Sequence, residues 1–516
     1  MLPAVKAIWT RIYWLLPALL ATAVVVRCGT LAGKLLLWTD EFLSWYPVSG
    51  SFGNMLTATT DTINSAPPLY FIVAWLWSHF AGGSPVALRL FSAFAVAAAL
   101  LTMFAVLRRV YGVLPSILAL TVICSDPELL LQSQQARFHT LFVAEIALSI
   151  LLLQRLITPR PAPFFLLVLN TVIHVCLMLT SYIAIFYSPA LLGGVLIVSL
   201  LRRRNPTRIC LSIVASWIVL LPWVPVMLRH NEMSKLGWIP VATPKILRAY
   251  FESYATMQFR WFTLILIAFV AGSMLMVFCV GGRRRREGFR PGERFLLATA
   301  VMLLSVPFIL YAISARPGAN SLFLERYMLA SVLGWAIVLA HFAHRAFLIR
   351  HRIGLRPLNA ALVAAQLIMT LAFVGSNSRR LVREARHFPA ESFIGDLAAQ
   401  LPGAEPIVVE HIHEFMSWHF YSARKSRYRF LLDPEVGSKE MAGGPLNHAI
   451  MAALRRRFPA QFQEVMPTDD FLRGASSFYV QHSPGYQWYP VRLLSNPNFT
   501  IEEMPDNLLH VRRAAP

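Results

Sequence analysis

The chain has 516 residues, of which 56% are hydrophobic and only 14% charged; soluble domains carry about a quarter charged residues, so an ordinary soluble globular protein is excluded. The net charge of +21 is gathered in short clusters between apolar runs, the pattern that orients membrane helices. No basic domain with interleaved aromatics stands apart from them, which excludes a nucleic-acid partner.

Lys6 and Arg11 precede the first apolar run, so the N-terminus is expected inside. That run, about 12 to 33, has no small-residue cleavage site and reads as a retained helix. It ends at "LLLWTDEFLSWYP", residues 35 to 47, where Asp40 and Glu41 stand among Trp38, Phe42, Trp45 and Tyr46. The run 86 to 107 ends at Arg108 and Arg109, which belong inside. The interval from about 34 to 85 is therefore expected as an outer loop. Within it, residues 66 to 83 offer only about 14 apolar positions after Pro67 and Pro68, short for a crossing. They predict a helix lying on the membrane surface.

Further crossings are expected at about 110–128, 140–157, 163–181, 183–201, 209–228, 261–281, 295–313, 327–343 and 358–376. With these limits every arginine cluster falls inside. A long outer loop spans about 229 to 260. The expected fold is an α-helical polytopic membrane protein of about eleven transmembrane helices over residues 1–376. From 377 to 516 the apolar runs shorten. "EPIVVEH", "YRFLLD" and "SSFYVQH" predict strands and "PLNHAIMAALRRRFP" an amphipathic helix, hence a small α/β domain on the outer side. Cys28, Cys124, Cys176, Cys210 and Cys279 lie scattered in apolar segments and read as core residues rather than disulfide or metal partners.

The unusual polar residues of the membrane half all fall on the outer side: Asp40, Glu41, Asp61, Asp126, Glu128, Arg137, His139, His230, Glu232, Lys235, Arg260, Arg316, Glu325 and Arg326. Ionisable groups at such depth mark function. A carboxylate serves as general base toward a hydroxyl, and an arginine holds a leaving phosphate. That combination suits sugar transfer from a lipid-linked phosphosugar. His411, His413, Glu414 and His419 offer metal-ligand types at a strand end, although strand alternation alone accounts for the spacing.

"LWTDEFLSWYP" is similar to the first outer loop of the GT-C glycosyltransferases. "SAPPLYFIVAWLWSHFAGGSPVALRLFSAF" resembles their surface helix and the opening of the next span, and "SQQARFHTL" their second outer turn. "LPWVPVML" and "FLERYMLAS" resemble later elements. The motifs run in order over roughly residues 10 to 350. They are most similar to the protein mannosyltransferase-like family 39 and to bacterial enzymes that modify lipopolysaccharide sugars or lipid A.

The resemblance implies Asp40 as the catalytic acid residue with Glu41 beside it, and Arg326, Arg137 and Arg89 as residues that bind the donor phosphate or shape its site. Tyr327, His139, Lys235, Arg260 and Trp45 are further candidates for substrate contact. The implied donor is a polyprenyl-phosphate sugar. The acceptor is a lipid, glycan or protein, and the setting a bacterial inner membrane with the site on its periplasmic face. The pattern's histidine before Pro-Pro is Ala66 here, its second-turn glutamate is Gln135, and a later aspartate is replaced near His139 and Phe142. These departures leave a divalent metal open. A transporter or flippase for a lipid-linked sugar, and a non-catalytic scaffold, are the competing readings. The first wants charges near the bilayer midplane, whereas here they crowd one side.

Overall fold

A computed structural model describes residues 3–61, 63–64, 66–157, 163–234, 241–255, 290–316, 321–352, 356–387, 396–437 and 444–514, with a few isolated positions between 239 and 275. Among the described residues eight helices are long and apolar enough to cross a membrane, and three shorter apolar helices accompany them. The chain is a multi-pass membrane protein with a small α/β domain at its C-terminal end. Ten of the expected crossings appear as helices, some divided by short 3₁₀ stretches; the crossing expected at 261–281 lies outside the described residues.

The helices, in order, are α1 (Pro3–Ala32), α2 (Thr39–Ser49), α3 (Phe52–Thr59), α4 (Leu69–Ala81), α5 (Pro85–Tyr111), α6 (Val113–Ser125), α7 (Pro127–Gln132), α8 (His139–Leu156), α9 (Phe164–Thr180), α10 (Ala184–Leu201), α11 (Thr207–Val214), α12 (Val224–Ser234), α13 (Pro244–Ala255), α14 (Pro291–Ser314), α15 (Glu325–Met328), α16 (Val332–Arg352) and α17 (Arg356–His387). The local signals for α5 show why these runs become helices. Ser84 caps its start by accepting from the Ala87 N–H, Pro85 occupies the first turn, and Gly112 at φ 85° ends it. Close packing follows where residues are small: a Cβ on Gly194 of α10 would stand 2.8 Å from the Thr299 hydroxyl of α14.

Two faces follow from contacts at the helix ends. Arg89, in the second turn of α5, reaches the carbonyls of Ala32 and Leu35 after α1, so both helix ends share one face. The whole interval between them lies on that face. Its helix α4 has 13 residues, about 20 Å against the ~30 Å of a hydrocarbon core, and it packs on α2, α3 and α5. On the opposite face Arg202 donates to the Ile157 carbonyl, Arg345 pairs with Glu293, and His344 meets the Tyr111 carbonyl. The basic turns at Arg202 and Arg345 therefore lie on the face away from Asp40.

Helix α17 continues past residue 376 to His387. The composition shift at 377 marks where the helix becomes polar, with Arg379, Arg380 and Arg383, not where it stops. Beyond it the sheet has the order β3-β2-β1-β4-β6-β5. β1 (Ile407–Val409), β2 (Tyr428–Leu432), β3 (Val465–Pro467) and β4 (Ser477–Gln481) are parallel, and β5 (Phe499–Met504) and β6 (Leu508–Arg513) antiparallel. The three expected strands are β1, β2 and β4, and the expected helix is Gly444–Arg457. His411, expected at a strand end, follows β1 by two residues, whereas the stretch from His413 on is a helix, Ile412–Tyr421.

One apolar cluster joins this domain to the loop after α1. It contains Leu37, Phe42, Leu43 and Tyr46 together with Phe415, Met416 and Phe462. The Tyr46 and Phe462 rings lie 4.7 Å apart. Asp61 adds an ionic strap to Arg456 and Arg457 at 2.8 and 2.9 Å.

Candidate functional site

Asp40 and Glu41 are consecutive on α2, so their side chains diverge by about 100° around the helix and meet different surroundings. Glu41 turns inward. Its Oε1 accepts from Arg89 Nε at 2.8 Å and the Ala136 N–H at 2.9 Å, and its Oε2 from Arg89 Nη2 at 2.7 Å and the Trp38 N–H at 3.0 Å. Arg89 spends its remaining N–H groups on the carbonyls of Ala32, Leu35 and Leu36. The two side chains are 1% and 2% exposed. Arg89, expected to face a donor phosphate, has no N–H left for one. The pair instead ties α1, α2, α5 and the turn at Ala136 into one frame, which corrects its expected place and that of Glu41.

Asp40 turns the other way, with a quarter of its side chain exposed. Its Oδ2 accepts from Arg326 Nη1 at 3.0 Å, and Arg137 Nη2 stands 3.7 Å away. Arg137 is held by its own bond to the Asp40 carbonyl at 2.9 Å and by Ser44 and Asn64 at 3.4 Å. The turn that carries it is fixed by the Ser92 hydroxyl, which donates to the Gln135 carbonyl at 2.6 Å. Burial pushes the Asp40 carboxyl up, but Arg137, Arg326 and His413 outweigh burial and bring it below the ordinary carboxylate value. The site thus holds an ionised carboxylate between two guanidinium groups, supplied by three distant stretches of chain.

Tyr327 adjoins this pair, with the Arg326 guanidinium 5.9 Å from its ring centre. His139 begins α8 and is buried between the Phe138 and Tyr327 rings, 4.1 and 6.2 Å away. Trp45 faces elsewhere: its indole N–H donates to the Gly83 carbonyl at 2.9 Å and its ring packs on Phe420. Lys235 and Arg260 lie outside the described residues. Asn64, Ser44 and Thr39 carried no signal in the sequence beyond ordinary loop composition. His413 was visible only as a metal-ligand type. It bonds to the Thr39 hydroxyl instead, while His419 faces Glu464 at 3.1 Å. Among the described residues no three His, Cys, Asp or Glu side chains converge on a point that would hold a metal.

Next to Arg326 opens a cavity of about 270 Å³, lined by Arg27, Asp126, Glu128, Gln134, Glu325 and Arg380, with Tyr250 of α13 among its walls. That is near the lower end of small-ligand clefts, about 300–1,000 Å³.

No protein-family model and no curated protein matches the chain at a significant level. Solved structures do. ArnT from Cupriavidus metallidurans, in a crystal structure bound to undecaprenyl phosphate, aligns with a TM-score of 0.57 at 13% identity over 96% of this chain and 98% of that one. The same protein in its apo state aligns with a TM-score of 0.58 at 13% identity, covering 98% of each chain. The likeness spans helices and C-terminal domain together, and the chain shares the fold of these structures.

Proposed function

We propose that this chain is a membrane glycosyltransferase that moves a sugar from a polyprenyl-phosphate donor to an acceptor hydroxyl. The observation that carries the reading is the convergence of Arg137 and Arg326 on Asp40. It is supported by a shared fold with a protein crystallised with undecaprenyl phosphate.

In this reading the donor phosphate sits against Arg326 and Arg137, and the sugar carbon bonded to it is presented toward Asp40. The acceptor oxygen attacks that carbon and its proton passes to the Asp40 carboxylate. The bond from carbon to phosphate oxygen breaks, and its electron pair leaves with the lipid phosphate, where the guanidinium N–H groups meet the growing charge. The same arginines hold Asp40. When the phosphate draws them away, the carboxylate loses the charges that depress its basicity and becomes a better proton acceptor. Glu41 and Arg89 position the loop without touching substrate. Tyr250 of α13 stands on the cavity wall, which supports a covering role for this helix over the bound donor. Basic turns such as that at Arg202, on the opposite face, support an extracytoplasmic setting for this chemistry.

The test is transfer by purified protein from radiolabelled polyprenyl-phosphate sugars to envelope extracts, compared with Asp40→Asn and Arg326→Ala. Wild-type rates in Asp40→Asn would remove the base assignment.

A further inference from the structure

The acceptor has no place in the geometry so far, and the α/β domain has no part in the chemistry. One feature answers both. Trp38, the residue before α2, stacks on His413 with ring centres 5.1 Å apart and planes 25° from parallel, yet remains 51% exposed. The row continues from His413 to His411 at 4.8 Å and from His411 to Tyr486 at 5.3 Å. His413 is pinned by its bond to the Thr39 hydroxyl and stands near enough to Asp40 for the two charges to act on each other. His411 Nδ1 and Glu414 Oε2, on the same turn of chain, are buried atoms with no hydrogen-bond partner among the described residues.

We propose that this row is the acceptor subsite and that the acceptor is a carbohydrate. A sugar ring has one face of C–H groups and an edge of hydroxyls. The indole of Trp38 offers a flat apolar surface to the first. His411 Nδ1 and Glu414 Oε2 offer the unsatisfied polar atoms that the second requires. The hydroxyl nearest Trp38 then lies toward Asp40, two residues along the chain. A protein acceptor fits less well, because an extended peptide needs a row of free backbone partners. β1, from whose end His411 comes, is central in the sheet with β2 and β4 on its two sides, so it offers no such edge.

The subsite's role rests on the glycosyltransferase reading, and its existence is tested apart from it. Full-length protein purified in detergent is applied to an array of immobilised oligosaccharides and to one of Ser/Thr-containing peptides, with Trp38→Ala and His411→Ala beside the wild type. Binding of radiolabelled undecaprenyl phosphate is measured on the same preparations. Wild-type protein is expected to retain a subset of the oligosaccharides. Each variant is expected to lose about fivefold or more of that signal while binding the lipid phosphate as the wild type does. No retained oligosaccharide, equal retention by both variants, or preference for the peptides would overturn the subsite. Loss of undecaprenyl-phosphate binding by the wild type would instead count against the donor reading, with the array result standing on its own.

Discussion

Asp40 and Arg326 stand 286 positions apart in the chain and meet at 3.0 Å. Arg137 Nη2 adds a second positive charge on the Asp40 side at 3.7 Å. Removing either is therefore expected to affect different steps. Asp40→Asn keeps size and shape and should lower kcat by about 10²–10⁴, the usual worth of a positioned base, with undecaprenyl phosphate still bound. Arg326→Ala should weaken binding of that lipid as well as slow transfer. Equilibrium binding of radiolabelled lipid, measured beside turnover, separates the two.

Glu41 and Arg89 give a contrasting case. Both are buried and fully hydrogen-bonded, so removing one leaves the other charged and alone, at a cost of about 3–5 kcal/mol. Glu41→Ala and Arg89→Ala should each lower the unfolding temperature in detergent, and activity should fall with loss of folded protein. Replacing both by apolar residues would be neutral for a simple buried pair. It should fail here, since the Ala32, Leu35 and Leu36 carbonyls would lose their donor. Differential scanning fluorimetry of the single and double variants measures this directly.

The pH dependence follows from the Asp40 environment. Its folded carboxyl lies below the unfolded value of about 3.9. Its ion pairs therefore contribute stability that is fully present above about pH 4 and lost as pH falls through the lower folded value. Transfer by the wild type should show no acid limb from Asp40 between about pH 5 and 8. Arg137→Ala removes one of the charges that lower the carboxyl, so an acid limb should move upward. A pH–rate profile of the two proteins on the same donor decides it; coincident profiles would mean Asp40 does not titrate in the rate-limiting step.

Much of this arrangement could be read from the sequence, and the parts that could not have a physical reason. Helix placement was legible because a bilayer demands long apolar runs and tolerates arginine on one side, and both leave marks in composition. Asp40 and Arg326 were reachable through ordered motifs. For Glu41 and Arg89 the sequence left binding and site-shaping side by side, because a buried ion pair and a substrate-binding pair use the same residue types, and only burial tells them apart. Asn64, Ser44 and Thr39 act through geometry that ordinary polar loop residues do not advertise. His413 was misplaced because "EHIHEF" alternates like a strand, whereas Ile412–Tyr421 buries Ile412, Phe415, Met416 and His419, a helical spacing. β3, β5 and β6 are short or half-exposed and have little apolar run to show.

The joint between domain and loop is carried by packing more than by charge. Arg456 is 59% exposed in its pair with Asp61, and such pairs are worth about 0–1 kcal/mol. Arg456→Ala should leave stability nearly unchanged. Phe462 is fully buried against Tyr46, and an alanine there should cost about 3–5 kcal/mol. Hydrogen exchange over residues 39–49 reports the effect on α2, which should lose protection in Phe462→Ala and keep it in Arg456→Ala. The reverse order would mean the ionic strap, not the apolar cluster, docks the domain.

Orientation can be settled with two exposed positions on opposite faces. His79 ends α4 on the face that holds Asp40, and Asn205 lies in the arginine-rich turn after α10. In a chain whose five native cysteines are replaced by alanine or serine, a membrane-impermeant maleimide applied to intact cells should label His79→Cys and leave Asn205→Cys unlabelled. Both should react once the cells are opened. The expectation rests on arginine retention at the cytoplasmic side and on the short length of α4, which keeps residues 33–84 together. Labelling of Asn205→Cys alone would invert the protein and place the carboxylate between its two arginines on the cytoplasmic side. Labelling of both in intact cells would mean that some segment between them crosses the membrane a different number of times than these helices do.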